Sequence, residues 1–173
     1  MTGPGDNASI EIRPEQPADL EAIREVNRQA FGQEQEGRIV DALRANGVVL
    51  SLVAVTEGVV AGHILFSPLT VGPVTGAALG PMAVLPPYQR RGIGSQLVQR
   101  GLERLRADGC AFVALIGHPE FYPRFGFRAA ADIGMTCEWE VPAEAFMVTV
   151  LDPAVTDLLA GRAAFRPEFS TIE

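Results

Sequence analysis

Between residues 77 and 116 the apolar residues change period twice, and this limits the folds open to the chain more than any other feature. Ala77–Leu85 is an apolar run short enough for a strand. After Tyr88 the spacing turns helical: Ile93, Leu97, Val98, Leu102 and Leu105 mark one face, and Gly109 stands where a C-terminal cap belongs. Ala111–Ile116 is then continuously apolar, the pattern of a strand buried on both faces. Strand, helix, strand in that order is one βαβ crossover, so its two strands run parallel.

The rest of the chain reads around that unit. Ile10–Arg13 alternates like a short strand, and Pro17 opens a helix that runs to about Phe31, with Leu20, Ile23 and Asn27 at helical spacing. A second helix covers Glu36 to Ala45, with Ile39, Val40 and Leu43 inward and Asn46-Gly47 as its stop. Val48–Val55 and Val59–Phe66 form a hairpin across Glu57-Gly58, and a looser turn near Gly72–Gly76 leads into the next strand. Pro119–Phe125 reads as a short helix and Ala145–Leu151 as a strand with an exposed edge suited to pairing two copies. Val155–Leu159 reads as a helical turn before an irregular tail. The fold class is therefore α/β: a mixed sheet with an antiparallel N-terminal half and one parallel pair. The 173 residues fit one compact domain, placed at 10–151, with 1–9 a disordered tail and 152–173 an extension packed on or trailing from it.

Charge and cysteine usage narrow the function classes. Twenty-one acids against 14 bases give a net charge of −7, the wrong sign for a nucleic-acid-binding surface. No apolar run reaches the ~18 residues of a membrane span, and Met1–Ser9, polar and charged only at Asp6, lacks the features of a signal peptide. Cys110 and Cys137 stand far apart without CxxC spacing, so they read as small buried hydrophobes rather than a disulfide or metal site. These features together imply a reducing cytoplasm, no membrane and no metal.

The chemistry sits at the join of the crossover, Met82-Ala83-Val84-Leu85-Pro86-Pro87-Tyr88-Gln89-Arg90-Arg91-Gly92-Ile93-Gly94-Ser95. The segment leaves a strand, turns through two glycines and opens a helix. The first N–H groups of a helix have no intrahelical acceptor and lie at the positive end of its dipole, so this turn is an anion site. Glycine at 92 and 94 removes the Cβ atoms that would keep a phosphate from the backbone. Arg90 and Arg91 add positive charge that is unfavourable at a helix start without an anion. GxxxxGK[ST] does not occur, and the dinucleotide pattern GxGxxG fails because Leu97 holds the third glycine's place.

What remains, Gln89-x-x-Gly92-x-Gly94, resembles the Q/R-x-x-G-x-G/A pyrophosphate loop of the GNAT (GCN5-related) N-acetyltransferases. Leu79–Leu85 looks like that family's fourth strand, and Tyr122-Pro123-Arg124-Phe125-Gly126-Phe127 like the Y-x-x-x-G-F segment after its fifth. The resemblance covers residues 10–127; residues 128–151, with Trp139-Glu140-Val141-Pro142, are similar to a bacterial branch of predicted acetyltransferases. It implies that acetyl-CoA is the acyl donor, its pyrophosphate held by Gln89, Arg90 and the backbone of Arg91, Gly92, Ile93, Gly94 and Ser95. Met82, Ala83 and Val84 would pair with the pantetheine arm like an added strand. A bulge at Pro81, which has no N–H to give, would open the two parallel strands to admit the arm. An amide near Met82 would polarise the thioester carbonyl, and Tyr122 would protonate the departing thiolate.

The activity implied is direct attack of a primary amine, on a small molecule or a peptide, upon that thioester, without metal or covalent enzyme intermediate. A lysine-like amine has a pKa of about 10.4 and must lose a proton first. His118 ranks first among the bases, ahead of Glu120, Glu34 and Glu36. His63, inside an apolar strand, reads as structural or pocket-lining. Phe31, Glu34, Glu36, Met135, Glu138 and Trp139 lie in the segments expected on the acceptor side. The rival readings are an acyl-CoA-binding sensor without chemistry and an N-acyltransferase with a longer acyl donor.

Overall fold

The structure, a computed structural model, describes residues 9–171, so the expected tail at 1–8 lies outside the described residues. In chain order the elements are β1 (Glu11–Pro14), α1 (Leu20–Phe31), α2 (Gln35–Asn46), β2 (Leu50–Thr56), β3 (Val59–Val71), β4 (Val74–Val84), α3 (Ile93–Ala107) and β5 (Phe112–Ile116). They continue as β6 (Arg128–Ala129), β7 (Met135–Thr136), β8 (Phe146–Val150) and β9 (Gly161–Ala164). The strands lie in the order β1-β2-β3-β4-β5-β8-β6, and β9 adds to β3 and β7. β4 and β5 run parallel, as do the two-residue strands β7 and β9, and the remaining pairs are antiparallel.

Period-two burial sets the layers. Leu52, Ala54, Ile64 and Phe66 face α3 and pack with Ile93, Leu97, Val98 and Leu105. Val53 and Leu65, one position out of phase, face α1 and α2 and pack with Ile23, Ile39, Val40 and Leu43. β5 serves both layers: Val113 and Leu115 join the first core, while Phe112 and Ala114 join a third cluster with Leu69, Met135 and Phe146. That is the double burial its unbroken apolar run implies.

Local chemistry fixes the joints. Glu57 and Gly58 both hold positive φ, 54° and 75°, as a two-residue hairpin turn of that hand requires. Arg13 donates to both carboxylate oxygens of Asp19, at 2.7 and 3.1 Å, tying β1 to the start of α1. That Arg13 bond, with a second from the Gln16 N–H, holds the Asp19 carboxyl below its ordinary range even though burial opposes it.

Three expectations need correction. The loose turn at Gly72–Gly76 is tight: Val71 pairs with Val74, so β3 and β4 run on to residues 71 and 74. Gly76 serves close approach instead, because a Cβ there would stand 2.5 Å from the Phe112 carbonyl oxygen. Ala145–Leu151 does not present a free edge, since β8 is bonded to β5 on one side and β6 on the other. Residues 152–171 are not an irregular tail: a 3-10 turn at Pro153–Leu158 leads into β9, which pairs with β3. Gly161-Arg162-Ala163-Ala164 has no alternation strong enough to mark a strand, and its pairing comes from the exposed end of β3.

Candidate functional site

The site begins where β4 parts from β5. The two strands pair only at Ala77–Val113 and Ala78–Ala114. Beyond that point β4 stays on β3, with Ile64 opposite Met82, His63 opposite Ala83 and Gly62 opposite Val84. No strand borders residues 79–84 on the β5 side, so that edge of backbone is open. A bulge sits at the parting: Phe66 pairs with Leu79 and Ile64 with Met82, leaving Gly80 and Pro81 opposite Leu65 alone. Gly80 holds φ 145°, a conformation that side-chain-bearing residues rarely adopt, and Pro81 withholds no donor that a ladder would need.

Each end of the open edge leads into a hollow. The first, about 430 Å³, is lined by Val84, Tyr88, Gln89, Arg90, Gly92–Ser95, Phe121 and Arg124. Arg90 and Gly92 both hold left-handed φ, 64° and 81°. For Arg90 that is strained by roughly 1 kcal/mol or more. Gln96 is the first residue of α3 whose N–H finds a helical carbonyl, that of Gly92 at 3.0 Å, so the N–H groups of Ile93, Gly94 and Ser95 have no intrahelical acceptor. No side chain caps the helix. Gln89 donates from Nε2 to the Val84 carbonyl at 2.9 Å, which locks the loop to the strand end. The Arg124 guanidinium lies 4.8 Å from the Phe121 ring centre on the opposite wall. The hollow therefore offers a fan of amides and two cationic side chains, a receptor for a diphosphate.

The second hollow, about 440 Å³, lies at the bulge. Its walls are Ile39, Ala78–Pro81, Ile116, Trp139, Val141, Phe165 and Phe169, with Glu36 from the first turn of α2. Trp139 meets Phe165 edge-on at 5.0 Å between ring centres. Pro81 to Val84, three residues of strand, spans roughly 10 Å from one hollow to the other.

The sequence-derived candidates divide accordingly. Met82, Ala83 and Val84 form the open edge, and Gln89, Arg90, Gly92, Ile93, Gly94 and Ser95 line the first hollow. Gly94 packs directly on Met82, whose Cε would lie 3.5 Å from a Cβ there. Arg91 instead points its guanidinium toward the Tyr88 ring, 6.0 Å from its centre. Tyr122 opens the 3-10 turn after β5 and is buried, its ring edge-on to Phe121 and Phe127 at 5.0 and 5.8 Å. Gly117 makes room for that ring: a Cβ there would stand 2.8 Å from Tyr122 Cε2. Burial pushes the phenol up to about 12, so it stays protonated at neutral pH.

Other candidates lie away from both hollows. His118 is 84% exposed, its Nδ1 3.8 Å from Glu120 Oε1, and it lines neither. His63 is fully buried between Asn27 and Ser51, and burial takes its pKa down to about 3, with the Arg44 charge adding to the effect. Glu34 pairs with Arg38 and Glu138 with Arg162, while Phe31 is exposed and Met135 belongs to the core. Arg124, Ile116, Phe165 and Phe169 were not marked as site residues by the sequence. Arg124 was within reach, since it lies in the Tyr122 segment, whereas the others carry no local pattern. Among the described residues no three His, Cys, Asp or Glu side chains gather as a metal would require.

Comparison with known proteins agrees with this geometry. The model of the acetyltransferase (GNAT) family matches residues 15–127. The uncharacterized N-acetyltransferase YhbS of Escherichia coli is 34% identical over 163 residues, covering 92% of this chain and 98% of that protein. The uncharacterized N-acetyltransferase YjhQ of the same organism is 38% identical over 135 residues, 73% of this chain and 75% of that protein. The crystal structure of E. coli YhbS in complex with CoA superposes with a TM-score of 0.91 at 32% identity, covering 100% and 97% of the two chains. A GNAT family acetyltransferase from Brucella melitensis, in complex with acetyl-CoA, gives 0.78 at 37% identity over 93% and 98%. A family match over most of the chain, carried on the same splayed sheet and amide-lined turn, places this protein in the GNAT acetyltransferase family.

Proposed function

We propose that the protein transfers an acetyl group from acetyl-CoA to a primary amine. The observation that carries this reading is the continuity of the site: an amide-lined hollow, an open strand edge and an apolar hollow stand in line along residues 79–95. The residues present fit the donor. The unpaired amides of Ile93, Gly94 and Ser95 take the pyrophosphate, with Arg90 and Arg124 supplying charge. Backbone groups of Met82–Val84 hold the pantetheine arm as a strand partner would. The arm then delivers its thioester at the bulge, where the backbone near Met82 is free to polarise the carbonyl.

The donor supplies an activated acyl group, so most of the work left to the protein is positioning. Tyr122, neutral because it is buried, gives its proton to the sulfur as the thiolate departs and regains one from solvent. The test is CoA-thiol release from acetyl-CoA across a panel of amines, with Tyr122→Phe alongside. Amine-dependent release that falls about 10²-fold in kcat in the variant, with acetyl-CoA affinity kept, supports both statements. Unchanged release removes the Tyr122 role, and acetyl-CoA binding without release for any amine favours a sensor.

A further inference from the structure

One oxygen in the apolar hollow has no partner. Glu36 Oε2 is buried and accepts no hydrogen bond, while Oε1 accepts from Gln33 Nε2 at 3.1 Å. Among the described residues no cation pairs with Glu36, and it is the one charged group on the walls of that hollow. Every other wall residue is apolar, with Trp139, Phe165 and Phe169 forming an aromatic corner. A buried carboxylate oxygen without a donor is costly, and the cost is relieved by a ligand that brings a donor.

We propose that Glu36 binds the acceptor's nitrogen and takes its proton, and that the acceptor is a primary monoamine on an apolar body of aromatic size. This rests on the acetyl-transfer reading for its second half alone. Gly80 and Pro81 share the hollow with Glu36, so an amine held by this carboxylate lies in the same space as the thioester end of the arm. The wall chemistry sets the class. One ammonium finds one carboxylate, and the hydrocarbon finds aromatic and aliphatic surface. A second ammonium, as on a polyamine, would be buried against Ile39, Ile116 or Val141 with nothing to pair it.

The proton and electron count closes. The ammonium loses a proton to Glu36, which passes it to solvent. The free nitrogen attacks the thioester carbon, a C–N bond forms, and the C–S pair leaves on sulfur. Glu36 takes the nitrogen's second proton and Tyr122 protonates the sulfur. The sum is one amide, one thiol and one proton released.

The experiment uses the full chain, Glu36→Gln and Trp139→Ala, with 2-phenylethylamine, butylamine, spermidine and a lysine peptide as probes. Calorimetric titration of 2-phenylethylamine into CoA-saturated protein reads recognition without turnover. Binding by the wild type that weakens at least 30-fold in Glu36→Gln is expected, with acetyl-CoA affinity unchanged within about twofold as the control for folding. In turnover, kcat/KM for 2-phenylethylamine is expected to exceed that for spermidine tenfold or more. Glu36→Gln should lower it about 100-fold, and Trp139→Ala should mainly raise KM. Equal behaviour of Glu36→Gln and wild type overturns the Glu36 role, and preference for spermidine or peptide overturns the acceptor class. If 2-phenylethylamine binds in a Glu36-dependent way but no amine is acetylated, the acetyl-transfer reading fails and the recognition stands. If none of the probes binds, the inference itself is overturned.

Discussion

Gln89 Nε2 donates to the Val84 carbonyl at 2.9 Å, across the turn that joins the last residue of β4 to the start of α3. The bond spans five residues and holds the amide fan against the strand that leads to the second hollow. A glutamine expected to meet the pyrophosphate is thus also a brace for the loop. Gln89→Ala removes about 1 kcal/mol of this restraint and should weaken CoA binding about fivefold. Titration of CoA into the variant checks it; unchanged affinity would mean the loop holds its shape without the brace.

Gly101 lies on the face of α3 that touches β3. A Cβ there would stand 2.5 Å from Phe66 Cζ and 2.6 Å from Cε2, inside a fully buried ring. Helix propensity alone favours alanine over glycine by about 1 kcal/mol. Overpacking costs roughly 1–3 kcal/mol and wins. Gly101→Ala should therefore lower the melting temperature by ~3 °C or more. A raised melting temperature would show that α3 can move off the sheet without cost.

His63 makes stability depend on pH. Asn27 Nδ2 lies 3.3 Å from Nδ1 and donates to it, so Nε2 carries the hydrogen and donates to Ser51 Oγ at 3.0 Å. The folded pKa is lowered from 6.5 to about 3, chiefly by burial. A lowered histidine pKa means that the unfolded chain binds more protons between those values. Stability from this residue is full above 6.5 and lost as pH falls toward 3, at up to ~1.4 kcal/mol per pH unit. Urea unfolding at pH 7.5, 6 and 5 should fall more steeply for the wild type than for His63→Gln, which keeps an acceptor and a donor. Equal slopes would place the protonation elsewhere.

His118 is predicted to be dispensable. It is 84% exposed and lines neither hollow. His118→Gln should leave kcat/KM within about twofold, since surface substitutions away from a site seldom matter. A fall beyond tenfold would return the proton-accepting role to this histidine.

Much of the donor side of this site is local and was legible. A strand, two glycines at 92 and 94, and a helix face starting at Ile93 already determine an amide fan and its anion preference, because orphan N–H groups follow from helix geometry alone. The unbroken run at Phe112–Ile116 likewise announced burial on both faces. His118 misled because closeness in sequence to the end of β5 is not closeness to its open side.

The acceptor side could not be read that way. Glu36, Ile116, Trp139 and Phe165 come from well-separated stretches, and nothing in any one of them marks the others. The short strand β9, unpatterned in itself, brings Phe165 into place by pairing with β3. The sequence by itself therefore determined the crossover and the anion turn, whose causes lie within a dozen residues of each other. The tertiary structure alone decided which carboxylate is left without a partner in an apolar wall, because burial and pairing depend on every segment that packs around it.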